Sequence, residues 1–423
     1  MRTNFSLAQL ADPDLAAAER ALRACVHCGI CIATCPTYVL LGDERDGPRG
    51  RIVMMQEMLE ADAVPSAETV HHIDRCLSCL NCRTACPSGV DYAKLIDTAR
   101  AHIETHYRRP PSERLLRGFV ANMSVRPSLM RFGMMLARLF APISRRLPGS
   151  LGAMADVAWK AQTDEPDTFT LETSSDAMRV AAMPGCVQRV LAPSIDPAIA
   201  RVLARRNITA VALEGAGCCG AIAHHLGRED EARDFAKRAI EAFERNGAAH
   251  VSIGATGCAA HMKSYADLFR ADAHWHARAT AFAAKVRDFT ELAEPKSARP
   301  PSELRVAYHA ACSLQHSMRL AGQGEALAAT AGHEVLSVPE GHLCCGSAGS
   351  YSLLQPELSG ALRARKLGNI RTLQPDVIVS GNIGCLHHLS GADAPPVLHL
   401  AELLDWSEGG PVPPALAHLK AVD

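Results

Sequence analysis

In GPRGRIVMMQEMLEAD, residues 47 to 62, Ile52, Met55, Met58 and Leu59 recur at helical spacing, and DYAKLIDTARAHIETHY, residues 91 to 107, continues in the same amphipathic rhythm. The first hundred residues are therefore expected to be helical. Beyond residue 177 the pattern changes to short apolar runs alternating with longer amphipathic ones. VAAM, ITAVAL and HVSIG read as strands, and REDEARDFAKRAIEAFERNGA as a helix with Ala232, Phe235, Ala236 and Ile240 on one stripe. The order then returns with RVAYH, HEVLSV and DVIVSG.

That return is an internal repeat. RVAAMPGC at 179–186 matches RVAYHAAC at 305–312, and EGAGCCG at 214–220 matches EGHLCCG at 340–346, both displaced by 126 residues. GATGCAAH at 254–261 matches GNIGCLHH at 381–388 with a displacement of 127, so one insertion aligns the copies. Alternating strands and helices imply two α/β lobes with largely parallel sheets, related by an approximate two-fold axis. The expected fold class is α+β multidomain: a helical domain over 1–107, a basic amphipathic connector and linker over 108–176, and repeats over 177–300 and 301–423.

Composition narrows the function. Acids and bases nearly cancel, leaving a formal charge of −1, so nothing in the balance points to nucleic acid. Apolar residues make up 48% of the chain and aromatic ones only 4%, so the cores must be aliphatic. The longest apolar runs, such as GMMLARLFAPI, are short and interrupted by Arg138, and none is expected to span a bilayer. The opening MRTNFSLAQLADPDLAAAER lacks a charged stretch followed by a continuous apolar one, so a reducing, cytoplasmic setting is expected. In that setting 16 cysteines point to metal rather than to disulfides.

CVHCGICIATCP at 25–36 and CLSCLNCRTACP at 76–87 both have the form C-x2-C-x2-C-x3-C-P. Three thiolates at this spacing wrap one cubane cluster, and the fourth is turned towards the other cluster of a two-cluster ferredoxin. By that crossover Cys25, Cys28, Cys31 and Cys86 would hold one 4Fe-4S cluster, and Cys76, Cys79, Cys82 and Cys35 the second. Two zinc sites are the alternative. Arg49 and Arg51 would either pair with a cluster's negative charge or a partner, or lie in a solvated helix start.

In the repeats every cysteine follows an expected strand, and in open parallel sheets that end is where ligands collect. Cys186, Cys218, Cys219 and Cys258 form one candidate site, and Cys312, Cys344, Cys345 and Cys385 the other. The glycine after each pair permits close backbone approach, and a helix start beside it would offer positive dipole to an anionic cluster. A reversible dithiol is the alternative, although adjacent cysteines bridged directly form a strained ring. His261 and His388, three residues after the last cysteine of each lobe, are either extra ligands or proton donors, or ordinary surface or core histidines. From Arg108 to Arg146 the chain has nine arginines and one acid, Glu113. That segment reads as a membrane-surface or partner-docking element, or as amphipathic helix packed on its own protein with arginines in water.

Joined in one chain, the ferredoxin motifs and the CCG repeats resemble the CCG-domain iron-sulfur proteins. This superfamily includes the heterodisulfide reductase B/D type, the iron-sulfur component of anaerobic glycerol-3-phosphate dehydrogenase and the iron-sulfur subunits of glycolate oxidase. CVHCGICIATCPTYVLLGDERDGPRGRI, MPGCVQ, AGCCGA, CCGSAGSYSLLQPE and GNIGCLHHL are most similar to the glycolate oxidase type. The resemblance implies two 4Fe-4S clusters, with one or two further clusters in the lobes. It also implies a hetero-oligomer with FAD-binding glycolate dehydrogenase subunits, and delivery of electrons to a quinone or other membrane acceptor at the inner face of the cytoplasmic membrane. Complexes oxidising D-lactate or glycerol 3-phosphate, or a heterodisulfide-reductase-like thiol/disulfide enzyme, are the alternatives. The resemblance places carbon oxidation on another subunit. One departure stands out: the fuller family pattern ends in CxxC, with five thiolates per lobe, whereas here each lobe ends in a single cysteine followed by histidine at the fourth position.

Overall fold

The proline that closes the first cysteine motif begins the fold's logic. Pro36 takes the first position of the helix Pro36–Leu41, where a missing N–H costs nothing, and this makes Cys35 the residue that enters the helix. The computed structural model describes residues 1–140, 147–162 and 176–417; Arg145, Arg146 and the acidic linker over 163–175 lie outside them. Helices Pro13–Ala24, Pro48–Ala61, Ala67–Asp74 and Tyr92–His106 form the amino-terminal bundle. Leu22, Ile52, Met55, Leu59, Ile73, Leu95, Ile96 and Ile103 fill its core.

Two helices, Pro111–Ser124 and Pro127–Leu139, make up most of the described connector. Its described arginines divide: Arg108, Arg114, Arg126 and Arg131 are exposed, as in the reading with arginines in water, while three others are engaged with the protein. Arg109 and Arg117 reach Asp74 at 2.6 and 2.7 Å, and Arg138 donates to the carbonyls of Ala158 and Ala161 at 2.9 and 2.6 Å. Beside the exposed arginines the connector also exposes apolar side chains: Leu115, Phe119, Phe132, Met135, Leu139 and Phe140.

Each repeat contains a four-stranded, all-parallel sheet. In the first lobe the strands are β1 (Met178–Ala182), β2 (Ile208–Ala212), β3 (His250–Ile253) and β4 (Val286–Asp288), in the order β2-β1-β3-β4. In the second they are β5 (Arg305–Tyr308), β6 (Glu334–Leu336), β7 (Val377–Ser380) and β8 (Val397–His399), in the equivalent order β6-β5-β7-β8. Val180 pairs with His250 and Val306 with Val377, so the order and the central register are repeated, while Val306 pairs with Val335, one residue short of the position equivalent to Ala210, which pairs with Val180. The fourth strands, three residues each, are too short to show in the periodicity.

The lobes share one core. Val180, Ile195 and Leu203 lie in a single cluster with Val306, Leu398, Leu404 and Trp406. Helix Ile195–Ala204 packs on helix Leu400–Ser407, and around that contact Arg201 and Arg205 each meet Asp405 at 2.8 Å and Arg206 meets Glu408 at 2.7 Å. The ends of β3 and β7 also meet, where Thr256 N donates to Gly381 O at 3.1 Å. Among the described residues no helix is long and apolar enough to cross a membrane.

Candidate metal centres

Around the first ferredoxin motif, Cys25, Cys28, Cys31 and Cys86 line one small cavity with Arg49 and Tyr92. Burial, with Cys25 and Cys86 close by, pushes the Cys31 thiol up to about 11. A thiol so placed gives up its proton readily only to a metal. The second set is more enclosed: Cys35, Cys76 and Cys82 are buried and Cys79 is partly so. Ser78 N donates to Cys76 Sγ at 3.5 Å, and Arg51 Nη1 lies 3.8 Å from Cys35 Sγ.

Arg51 is 1% exposed. It also donates to His72 O at 2.8 Å and Thr37 Oγ1 at 3.1 Å, and meets Asp46 at 3.4 Å. Asp46 in turn holds Arg75 at 2.8 Å. Arg51 is thus a fixed cation beside a candidate cluster thiolate. Arg49, partly exposed, pairs with Glu44 at 2.5 Å and donates to His27 O at 3.3 Å. The two arginines of one motif therefore have different surroundings.

In the lobes the CCG glycine performs the same task twice. Gly220 (φ +82°) directs its N–H at Cys218 Sγ, 3.4 Å away, and Gly346 (φ +100°) at Cys344 Sγ, 3.5 Å away. A Cβ would stand 3.0 Å from Phe235 Cβ in the first case and 2.6 Å from Ser359 O in the second, so glycine is required by both conformation and space. Cys186 Sγ lies 3.3 Å from Cys218 Sγ, and Cys186 and Cys312 are both held well above the usual thiol range, first by bonding to the leading cysteine of the pair and then by burial. A helix follows the pair directly only in lobe 1, as Ala221–His225; in lobe 2 the loop 347–350 intervenes before Tyr351–Leu354. The expected helix start beside both pairs is corrected accordingly. Cys258 and Cys385 sit in the first turns of helices Thr256–Lys263 and Ile383–Leu389.

One cavity of about 1010 Å³ is lined by cysteines of both lobes and by Cys76 and Cys79. Cys79 and Cys312 pack together against Leu77, Cys344, Tyr351 and Leu362, and Asn81 Nδ2 donates to His342 O at 3.1 Å across the same junction. The second ferredoxin set therefore abuts lobe 2.

The two histidines after the last cysteines go separate ways. His388 Nε2 lies 3.3 Å from both the carbonyl and the hydroxyl of Ser359. His261 packs against His224, ring centroids 5.0 Å apart, and against Tyr265, whose hydroxyl donates to Cys219 O at 2.7 Å. Two residues that the motifs do not reveal are found instead in lobe 2. A ring nitrogen of His309 and the sulfurs of Cys345 and Cys385 lie within 4.8 Å of one another, all three residues buried. Lys366, 2% exposed, donates to Glu340 O at 2.7 Å from the helix behind the pair, where burial lowers its pKa and the thiols of Cys312 and Cys345 oppose that lowering. The signal for His309 was in the repeat: Met183 occupies the matching position in lobe 1.

Family comparisons agree with this division. A 4Fe-4S dicluster domain matches residues 21–90, and a cysteine-rich CCG domain matches residues 180–263 and 306–390. Over 92% of this chain and 94% of the relative, 36% of residues are identical to the glycolate oxidase iron-sulfur subunit of Escherichia coli K12. The chain belongs to the glycolate oxidase iron-sulfur subunit family. A probable glycolate oxidase iron-sulfur subunit of Bacillus subtilis 168 is 29% identical over 91% of the chain and 94% of its own length. Lactate utilization protein A of Geobacillus kaustophilus is 28% identical over 54% of this chain and 99% of its own. Members of this family are iron-sulfur electron-transfer subunits of oxidoreductase complexes, and this chain carries iron-sulfur clusters. Its buried thiol sets, with backbone N–H groups directed at sulfur, fit such groups chemically.

Proposed function

We propose that this chain is the electron-transfer subunit of a glycolate dehydrogenase complex. In this reading Cys25, Cys28, Cys31 and Cys86 hold one 4Fe-4S cluster, and Cys76, Cys79, Cys82 and Cys35 the other. Cys186, Cys218, Cys219 and Cys258 hold a centre in lobe 1, and Cys312, Cys344, Cys345 and Cys385 one in lobe 2. Clusters so bound accept and pass electrons singly. The observation that carries the reading is the packing of Cys79 against Cys312 and Cys344, which links the dicluster domain to the lobes inside a single chain. FAD-binding partner subunits oxidise glycolate to glyoxylate, and electrons leave towards the quinone pool at the inner face of the cytoplasmic membrane.

Arg51 and Arg75, locked by Asp46, keep positive charge beside Cys35 and favour the reduced state of the centre there. The exposed face of Phe132, Met135 and Leu139 is the membrane-contacting surface, with Arg131 exposed beside it and Arg138 engaged with the protein behind it.

The test uses the co-purified complex. Cys79→Ser removes iron and abolishes acceptor reduction while flavin reduction by glycolate persists; unchanged acceptor reduction counts against the relay. Phe132→Glu with Met135→Glu abolishes flotation with phosphatidylglycerol vesicles, and undiminished flotation assigns that face to another contact. A D-lactate complex is the second reading, favoured by the similarity to Lactate utilization protein A over nearly that relative's whole length. Comparing turnover on glycolate and D-lactate separates the two.

A further inference from the structure

Lobe 2 has a donor that lobe 1 lacks. His309 follows β5 directly, and its backbone N–H donates to Val379 O at 2.7 Å, which fixes the residue at the cysteine end of the sheet. The side chain is 2% exposed, and Nε2 has no hydrogen-bond partner among the described residues. A buried ring nitrogen without a partner is destabilising, so its retention calls for an explanation. Cys345 and Cys385 Sγ lie within 4.8 Å of a ring nitrogen and of each other, and Lys366 and Glu325 are the charged groups that act on the ring. Hydrogen bonding to a carbonyl does not account for the ring as it does for His388, which meets Ser359 O at 3.3 Å.

The repeat supplies a control. The displacement of 126 that pairs Cys186 with Cys312 pairs Met183 with His309, and Met183 is also buried, at 5%. A thioether is a weak donor, whereas neutral imidazole is a common ligand of iron and other transition metals. The same fold position is therefore filled by an apolar side chain in one lobe and by a metal-ligating one in the other.

We propose that His309 is a nitrogen ligand of the iron-sulfur centre in lobe 2, completing a five-donor set with Cys312, Cys344, Cys345 and Cys385, while lobe 1 offers four thiolates. The inference rests on the reading that lobe 2 binds iron-sulfur. It places the missing fifth donor at the end of the first strand instead of in a terminal CxxC. A neutral imidazole as fifth donor adds no negative charge, so the potential lies above that of the five-thiolate set of the fuller family pattern. Lys366 acts in the same direction. The glycine neighbours Ala232 and Phe235 in lobe 1, against Ser359 and Leu362 in lobe 2, set a displacement of 127 for this helix, so Lys366 stands where lobe 1 has Ala239. Lobe 2 is thus the higher-potential lobe, next to Cys79.

The experiment uses the dithionite-reduced holo-complex with 15N-labelled histidine and pulsed EPR. A strong nitrogen hyperfine coupling that changes with 15N labelling is expected in the native protein, which needs no mutant to fold. His309→Ala and His309→Cys both lose that coupling, and His309→Cys keeps iron while its midpoint potential shifts down. Absence of the coupling, or its persistence in both variants, overturns the assignment. Iron and sulfide counts separate the two levels of failure. If Cys345→Ser loses iron and sulfide yet the native protein shows no nitrogen coupling, only the role of His309 fails. If Cys345→Ser leaves both counts unchanged, the reading of lobe 2 fails and the ligand proposal with it.

Discussion

After its first strand lobe 1 carries Met183 and lobe 2 carries His309; on the helix behind the paired cysteines lobe 1 carries Ala239 and lobe 2 Lys366. The strand order, the central register and the N–H directed from the CCG glycine to sulfur are the same in both. Duplication has kept what the backbone needs in order to hold four thiolates together, and has changed the charge around them. Two frames of one shape can in this way hold centres of different potential, which gives a relay a direction.

The caps after the last strands sharpen the contrast. Asp288 caps Phe289–Leu292 and His399 caps Leu400–Ser407, each in a reciprocal box with a glutamate three residues on. Burial raises Asp288 to about 7 and lowers His399 to about 4. His399 uses both nitrogens as a neutral ring, Nδ1 accepting from Ala401 N at 3.0 Å and Nε2 donating to Gly254 O of the other lobe at 2.9 Å. Folded Asp288 keeps its proton up to about pH 7, while the unfolded chain releases it near 4, so its contribution is full below pH 4 and is lost as pH rises to 7. Folded His399 sheds its proton near 4 while the unfolded chain holds one to about 6.5, so its contribution is full above 6.5 and is lost as pH falls to 4. The swings are on the order of 4 kcal/mol for Asp288 and 3 kcal/mol for His399. Asp288→Asn should flatten the stability profile on the neutral side and His399→Gln on the acid side, read from denaturant midpoints across pH 4–8. Parallel effects of the two substitutions would break the contrast.

A smaller effect tests the shared frame. Gly346→Ala must tolerate φ of +100° and a Cβ 2.6 Å from a backbone carbonyl, whereas Gly220→Ala meets a Cβ at 3.0 Å. Losses of about 2–4 kcal/mol are expected for the first, from left-handed strain and overpacking. The second should cost about 1 kcal/mol less, because its nearest approach is 3.0 Å against 2.6 Å. Equal losses in chemical denaturation would mean that lobe 2 relaxes as easily as lobe 1.

Much of the candidate chemistry was legible because it is written in local spacing. The two C-x2-C-x2-C-x3-C-P motifs, the displacement of 126 and the CCG glycines need only the chain and the reach of its backbone. His309 was harder to see, since a histidine in RVAYH reads as the end of a strand, and only the sheet shows which sulfurs it approaches. Lys366 was harder still, because a lysine on an amphipathic helix ordinarily faces water. The connector was misjudged in part for a related reason: whether an arginine meets solvent or a distant carbonyl such as Ala158 O depends on which helix lands beside it.

The sequence by itself determined the ligand inventory, the repeat and the alternation of strand and helix, because these follow from covalent spacing and from the period of the apolar positions. Tertiary structure alone decided that Arg51 is a buried cation at Cys35, that Cys79 abuts lobe 2, and that the imidazole of His309 lies beside Cys345 and Cys385. Those outcomes depend on groups far apart in the chain meeting in a space from which water has been removed, where one charge or one unpaired nitrogen changes the energy of everything beside it.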